Sequence, residues 1–118
     1  MGTFSQPITL ISPTGDETET LEAVVDTGAT FTIIPASVLE RLGVTSHRTV
    51  TLRLADGRLE QRPIGWVRVQ LNGLEENIIC VFGEPDSPSA IGAVTLETFL
   101  LAVDPVSQRL VPVEGLAL

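Results

Sequence analysis

The sequence predicts a small all-β, barrel-like domain carrying one or two short helices, and three observations lead there. β-prone stretches recur along the whole chain, several of them with apolar and polar residues in alternation. Turn clusters separate them at short intervals: Ser12-Pro13-Thr14-Gly15-Asp16, Asp56-Gly57, Asn72-Gly73 and Asp104-Pro105. Apolar residues make up 43% of the 118, yet only 4% are aromatic and none is tyrosine, so the core must be built from Val, Ile, Leu and Ala. That length suits one ordinary domain, expected to span residues 1–118, with enough apolar content to fold without metals or disulfides.

In chain order, Ile8 to Ile11 is a strand that stops at the Ser12–Asp16 turn. A second strand runs from Thr18 to Val25 with Leu21, Ala23 and Val25 on one face, and Phe31 to Ile34 reads as a third. Pro35 suits the first turn of a helix on which Val38, Leu39 and Leu42 recur at helical spacing, and Gly43 ends it in a left-handed cap. From Arg48 to Leu54 the pattern alternates, Asp56-Gly57 makes a two-residue hairpin turn, and Leu59 to Gln61 runs back. Trp66 to Leu71 and the apolar run Ile78 to Phe82 are further strands about the Asn72-Gly73 turn. Gly83 to Ser89 is a loop, a short helix carries Val94, Leu96, Phe99 and Leu100, and Leu101–Val103 with Leu110–Val113 close the barrel.

Charge narrows the function. Seven basic against 15 acidic residues leave a net charge of −8, and no basic run occurs. Such a surface repels phosphate backbones and anionic lipid, so neither nucleic acid nor membrane is an expected partner. The lone Cys80 sits inside Ile78–Phe82, where a small buried hydrophobe is the simplest reading. A Cys–His nucleophile is the alternative, but His47, the one histidine, lies in a loop-like stretch with no supporting pattern. One His and one Cys cannot supply the usual zinc ligands, so neither a metal nor another cofactor is expected. No apolar run is long enough for a membrane span, and the N-terminus lacks a basic start followed by an apolar stretch. The expected location is cytoplasmic.

The segment Val24-Val25-Asp26-Thr27-Gly28-Ala29-Thr30 sets a carboxylate at the end of an apolar strand, where its desolvation requires compensation. A plain β-turn whose Asp caps local amides would account for the bare triplet. The surroundings add to it. The chain from about residue 8 to residue 113 resembles the retroviral-type aspartic peptidases and their prokaryotic relatives. The resemblance rests on ordered features: Asp26-Thr27-Gly28-Ala29 after an apolar strand, the Phe31–Leu42 strand and helix, a hairpin tipped by Ala55-Asp56-Gly57-Arg58, the late Ile91-Gly92 pair before a short helix, and the Val103-Asp104-Pro105 turn.

That resemblance implies a closed retropepsin-like barrel with no cofactor, in which Asp26 is catalytic and Thr27, Gly28 and Ala29 complete the active-site loop. It implies that Ala55, Asp56 and Gly57 form the tip of a substrate-closing flap, for which an inert surface turn is the alternative. Ile91 and Gly92 would support the loop from beneath, with Ala90 a mild departure from the larger apolar residue usual there. Only one Asp-Thr-Gly is present, so the second aspartate of the dyad would come from Asp26 of a second copy in a homodimer. The substrate would be a peptide or protein. The terminal segment Leu110–Leu118, apolar and β-prone apart from Glu114 and Gly115, is a candidate for part of the interface, with an ordinary closing strand and a loose tail as the alternative. Thr30 and Phe31 stand where the retroviral enzymes carry acidic residues, and no arginine follows Gly92. Phe31 reads as a core residue, with a wall of an apolar substrate pocket as the alternative. Two other readings compete with the peptidase: an inactive dimeric peptide-binding module of the same fold, and a monomeric structural β-domain in which Asp26 is a turn residue.

Overall fold

A computed structural model describes residues 4–117. Nine strands and two helices follow one another: β1 (Ser5–Ile11), β2 (Thr18–Val25), β3 (Thr32–Pro35), α1 (Ala36–Arg41), β4 (Arg48–Arg53), β5 (Leu59–Leu71), β6 (Leu74–Gly83), β7 (Ala90–Ile91), α2 (Ala93–Phe99), β8 (Leu101–Asp104) and β9 (Arg109–Pro112) among the described residues. Seven strands form one sheet in the order β1-β2-β7-β3-β6-β5-β4, and β5 pairs back onto β1, from Thr9↔Gln70 to Ile11↔Arg68. That return pairing closes a barrel and leaves β4 as a flange on the first half of β5, in register from Arg48↔Ile64 to Arg53↔Leu59.

The alternation read from the sequence sets which residues meet inside. Ile8, Leu10, Ala23, Ile34, Val69 and Ile91 are fully buried in one cluster, to which Leu39 of α1 and Phe99 of α2 add from outside the sheet. The left-handed end of α1 forms as Gly43 predicts: Gly43 takes a φ of +84°, its N–H donates to Glu40 O at 3.0 Å, and the Val44 N–H reaches Leu39 O at 2.9 Å. These two bonds are the paired C-terminal closure typical of a glycine cap. Among the described residues no helix is long and apolar enough to cross a membrane.

Four expectations need correcting. Leu59–Gln61 and Trp66–Leu71 belong to one continuous strand, because Pro63 falls just before the register with β6 begins at Ile64↔Val81. A ring without an N–H is tolerated where a strand has one neighbour rather than two. The hairpin after β4 has a three-residue loop, not a two-residue turn: Leu54 N donates to Arg58 O at 2.8 Å and Gly57 N to Leu54 O at 2.9 Å. Only Gly57, with a φ of +90°, is left-handed there, whereas a two-residue turn of the mirror type requires two such residues. Asn72 and Gly73 do supply two, at +55° and +81°. Leu100 lies past the end of α2 at a φ of +53°, half exposed, reversing the chain into β8. Finally β8 and β9 form a separate two-stranded sheet and do not close the barrel, since the β1–β5 pairing has already done so.

Candidate active site

The loop Asp26–Thr30 leaves β2 at the point where three elements converge beneath it. Strand β7 pairs parallel with the end of β2, at Val24↔Ala90 and Val25↔Ile91, and antiparallel with β3 at Ile33↔Ala90. The Asp26 N–H donates to Ile91 O at 2.9 Å, and the Ala29 N–H closes the turn on Asp26 O at 3.1 Å. On the far side the first amides of α2 find their partners in the loop, Ala93 N on Ala29 O at 2.8 Å and Val94 N on Thr30 O at 2.9 Å. Helix amides that would otherwise be orphaned are satisfied by the loop, so helix and loop fix each other.

Gly92 is held most tightly. A Cβ there would lie 2.4 Å from Phe31 O and 2.9 Å from Ala29 O, so only glycine allows the two backbones to pass. Its N–H donates to Thr32 Oγ1 at 3.1 Å, and that hydroxyl meets Thr95 Oγ1 at 2.6 Å in the buried interior. Thr32 and Thr95 are therefore part of the site's foundation, and the sequence offers no signal for them: 63 positions separate the pair.

Above this support the loop itself is open. Asp26, Thr27 and Gly28 are all exposed on the single chain. The burial expected of Asp26 from its apolar strand is thus not met: β2 is buried up to Val25, and the chain then turns outward. One carboxylate oxygen of Asp26, Oδ1, accepts the Gly28 N–H at 2.9 Å, which orients the group and leaves Oδ2 without a hydrogen bond among the described residues. A Cβ on Gly28 would come within 3.2 Å of that Oδ1.

Beside the loop runs a groove of about 420 Å³, between Gly28–Phe31 on one wall and Thr51–Leu54 of the β4 hairpin on the other, with Ile33 and Val81 at its base. Phe31 is half-buried and lines this groove, so it is a wall residue and not part of the core cluster, contrary to the core reading. The stem of the hairpin faces the loop. Its tip, Ala55-Asp56-Gly57, projects beyond the groove lining and is exposed. Both oxygens of Asp56 are taken by Arg58, Oδ1 by the backbone N–H at 3.0 Å and Oδ2 by Nε at 2.7 Å. The backbone bond first and the guanidinium second hold the Asp56 carboxyl below its usual value of 3.8.

The alternative nucleophile lacks the required setting. Cys80 is wholly buried, its Sγ reaching Val81 O at 3.6 Å, and burial pushes the thiol up to about 12. A thiol so placed stays protonated and weakly reactive. His47 lies outside, stacked on Trp66 with ring centroids 6.2 Å apart.

A closed β-barrel with an Asp-Thr-Gly loop braced by an apolar-Gly strand defines the retropepsin-like fold. The family described as "gag-polyprotein putative aspartyl protease" matches residues 16–97, and the chain belongs to that family. Among solved structures, the retroviral protease-like domain of Ddi1 from Leishmania major superposes with a TM-score of 0.60 at 19% identity, over 95% of this chain and 89% of that one. Simian foamy virus (mac) protease superposes with a TM-score of 0.56 at 16% identity, over 79% of this chain and 91% of that one. Protease from EIAV in complex with the inhibitor HBY-793 gives 0.56 at 13% identity, over 82% and 88%. The likeness establishes the fold. A search of curated proteins found no match to the chain.

Proposed function

We propose that the chain is one half of a homodimeric aspartic endopeptidase, with Asp26 from each copy forming the dyad. The observation that carries this reading is the pairing of a rigid foundation with an exposed carboxylate. Asp26 is fixed from beneath by Ile91 and from the side by Gly28, yet nothing among the described residues covers it. A second copy placed across a twofold axis would bring the two carboxylates together. Two carboxylates in contact cannot both ionise, so the pair holds one proton between them. The ionised member takes a proton from water as the water oxygen attacks the peptide carbonyl, and the protonated member hydrogen-bonds the carbonyl oxygen. Thr27 would bond across the axis, Gly28 and Ala29 would complete the loop, and the β4–β5 hairpin, with Ala55, Asp56 and Gly57 at its tip, would close on a peptide and exclude water.

Within the expected segment, Leu110 is buried in the chain's own core and one edge of Arg109–Pro112 is taken by β8. Val113 is 45% and Leu116 101% exposed, which suits a segment completed by another chain. Leu118 lies outside the described residues.

The test is a digest of a peptide library by the native chain and by Asp26→Asn. Turnover should vanish in the variant, with the folded dimer retained, and should show a bell-shaped pH profile in the native protein. Adding excess Asp26→Asn chain to native chain should poison activity, because each mixed dimer holds one ionisable carboxylate. Full activity from a demonstrated monomer would defeat the reading. A dimer that binds peptides and cuts none would establish the binding module instead.

A further inference from the structure

The groove beside the Asp26 loop carries a charge pattern that the fold does not require. All seven basic residues are arginines, and four of them, Arg48, Arg53, Arg58 and Arg62, fall between positions 48 and 62. Only Asp56 and Glu60 oppose them there, so the hairpin carries 4 − 2 = +2 while the rest of the chain carries 3 − 13 = −10, which together restore the −8 of the whole. Of these four arginines, Arg53 lines the groove beside the Asp26 loop, while Arg62 lines a separate pocket.

Two of these arginines are occupied. Arg58 is paired with Asp56 at 2.7 Å, and Arg62 lies between Glu60 and Glu84. Arg53 has no ion pair among the described residues; its Nη1 donates to Gly57 O at 3.1 Å, which ties it to the tip and leaves its other N–H groups available. Among the described residues it is also the only charged one lining the groove, whose other walls include Ala29, Phe31, Leu52 and Val81. Exposed charges more than about 8 Å away are largely screened at physiological ionic strength, so the nearest charge governs.

We propose that this groove takes an apolar substrate side chain and that Arg53 reads an aspartate or glutamate next to it, making acid-flanked apolar peptides the preferred substrate class. This rests on the peptidase reading above and adds the substrate's chemistry to it. Arg53 belongs to the hairpin wall of the groove, whereas Asp26 does not line it, so the acidic residue would flank the scissile bond and not form it.

Binding and cleavage are measured separately, so that each reading can fail alone. Labelled octapeptides with Leu or Phe at the centre and Glu, Gln or Lys at each flanking position are titrated by fluorescence polarisation against full-length Asp26→Asn protein, which cannot cut them. One flanking position should favour Glu over Gln by about threefold to tenfold, with Lys weakest, as expected of a partly exposed charge-assisted contact. Adding Arg53→Glu should invert that order, and Arg53→Gln should flatten it. A loosened hairpin would weaken all peptides alike and could not create a preference for Lys. With Asp26 present, kcat/KM should follow the same ranking. An unchanged order in Arg53→Glu, or no peptide bound by any form, overturns the proposal. Binding with the predicted ranking but without cleavage would defeat the peptidase reading and leave Arg53 as a selectivity residue.

Discussion

Two loops in this protein join an aspartate to a glycine after a β-strand, and they are held in opposite ways. The Asp26 loop is bonded to residues more than 60 positions away, through Ile91, Ala93 and Val94, and its bracing glycine is hemmed in by backbone. The Ala55-Asp56-Gly57 loop is held by Leu54, Arg53 and Arg58, all within the same hairpin, and a Cβ at Gly57 would meet nothing within 4 Å. The first is built to keep a carboxylate still. The second is a locally closed turn whose tip projects beyond the groove lining, held only by contacts within its own hairpin.

This contrast can be broken most directly at the two glycines. Gly92→Ala should be the most damaging change, costing about 3 kcal/mol or more, because backbone at 2.4 Å must move to admit the methyl group. The urea midpoint of unfolding measures it, and a loss under about 1 kcal/mol would mean that the loop is not clamped as described. Thr32→Val should come next, at about 1–3 kcal/mol, since it strands the Gly92 N–H and the Thr95 hydroxyl in the interior. Thr32→Ser, which keeps the acceptor, should recover most of that loss, and a valine variant as stable as native would remove the hydroxyl pair from the account.

Gly57→Ala should cost only about 1 kcal/mol, and for a different reason: its φ of +90° disfavours a side chain although space is free. Equal losses at Gly57 and Gly92 would erase the distinction between the two loops. The smallest effect concerns acid. Arg58 holds the folded Asp56 carboxyl below 3.8, so the ordering it gives the hairpin is complete above that value and is lost as pH falls through the lower, folded one. The Asp56 carboxyl carbon, followed by NMR, should titrate with a midpoint under 3.8, and the Gly57 and Arg58 amides should shift with it. A midpoint at or above 3.8 would show that the Asp56–Arg58 contact does not form in solution.

Several features were legible from local chemistry alone. The bounds of β2 at Thr18 and Val25, the left-handed cap at Gly43 and the Asn72-Gly73 turn follow from residue patterns that act over a few positions. Asp26, Gly28 and the Ile91-Gly92 pair could be singled out because their order along the chain resembles a family to which the chain proved to belong. Other features depended on contacts that no local pattern encodes. Pro63 and Gly65 look like a break, yet β5 runs straight through them, because β6 begins pairing only at Ile64 and because Thr45 O and the Phe82 ring occupy the space over Gly65. Phe31 could have been core or groove until the β4 hairpin was seen to stand opposite it.

The sequence by itself determined β2, the Gly43 cap, the Asn72-Gly73 turn and the identity of the one aspartate set before Thr-Gly, since alternation and backbone preference are properties of neighbouring residues. Only the tertiary structure decided that β1 and not the last hairpin closes the barrel, that Thr32 and Thr95 meet beneath Gly92, and that Arg53 stands alone on the rim of the groove. Those are pairings between distant segments, fixed by which faces can be buried together once the barrel has closed.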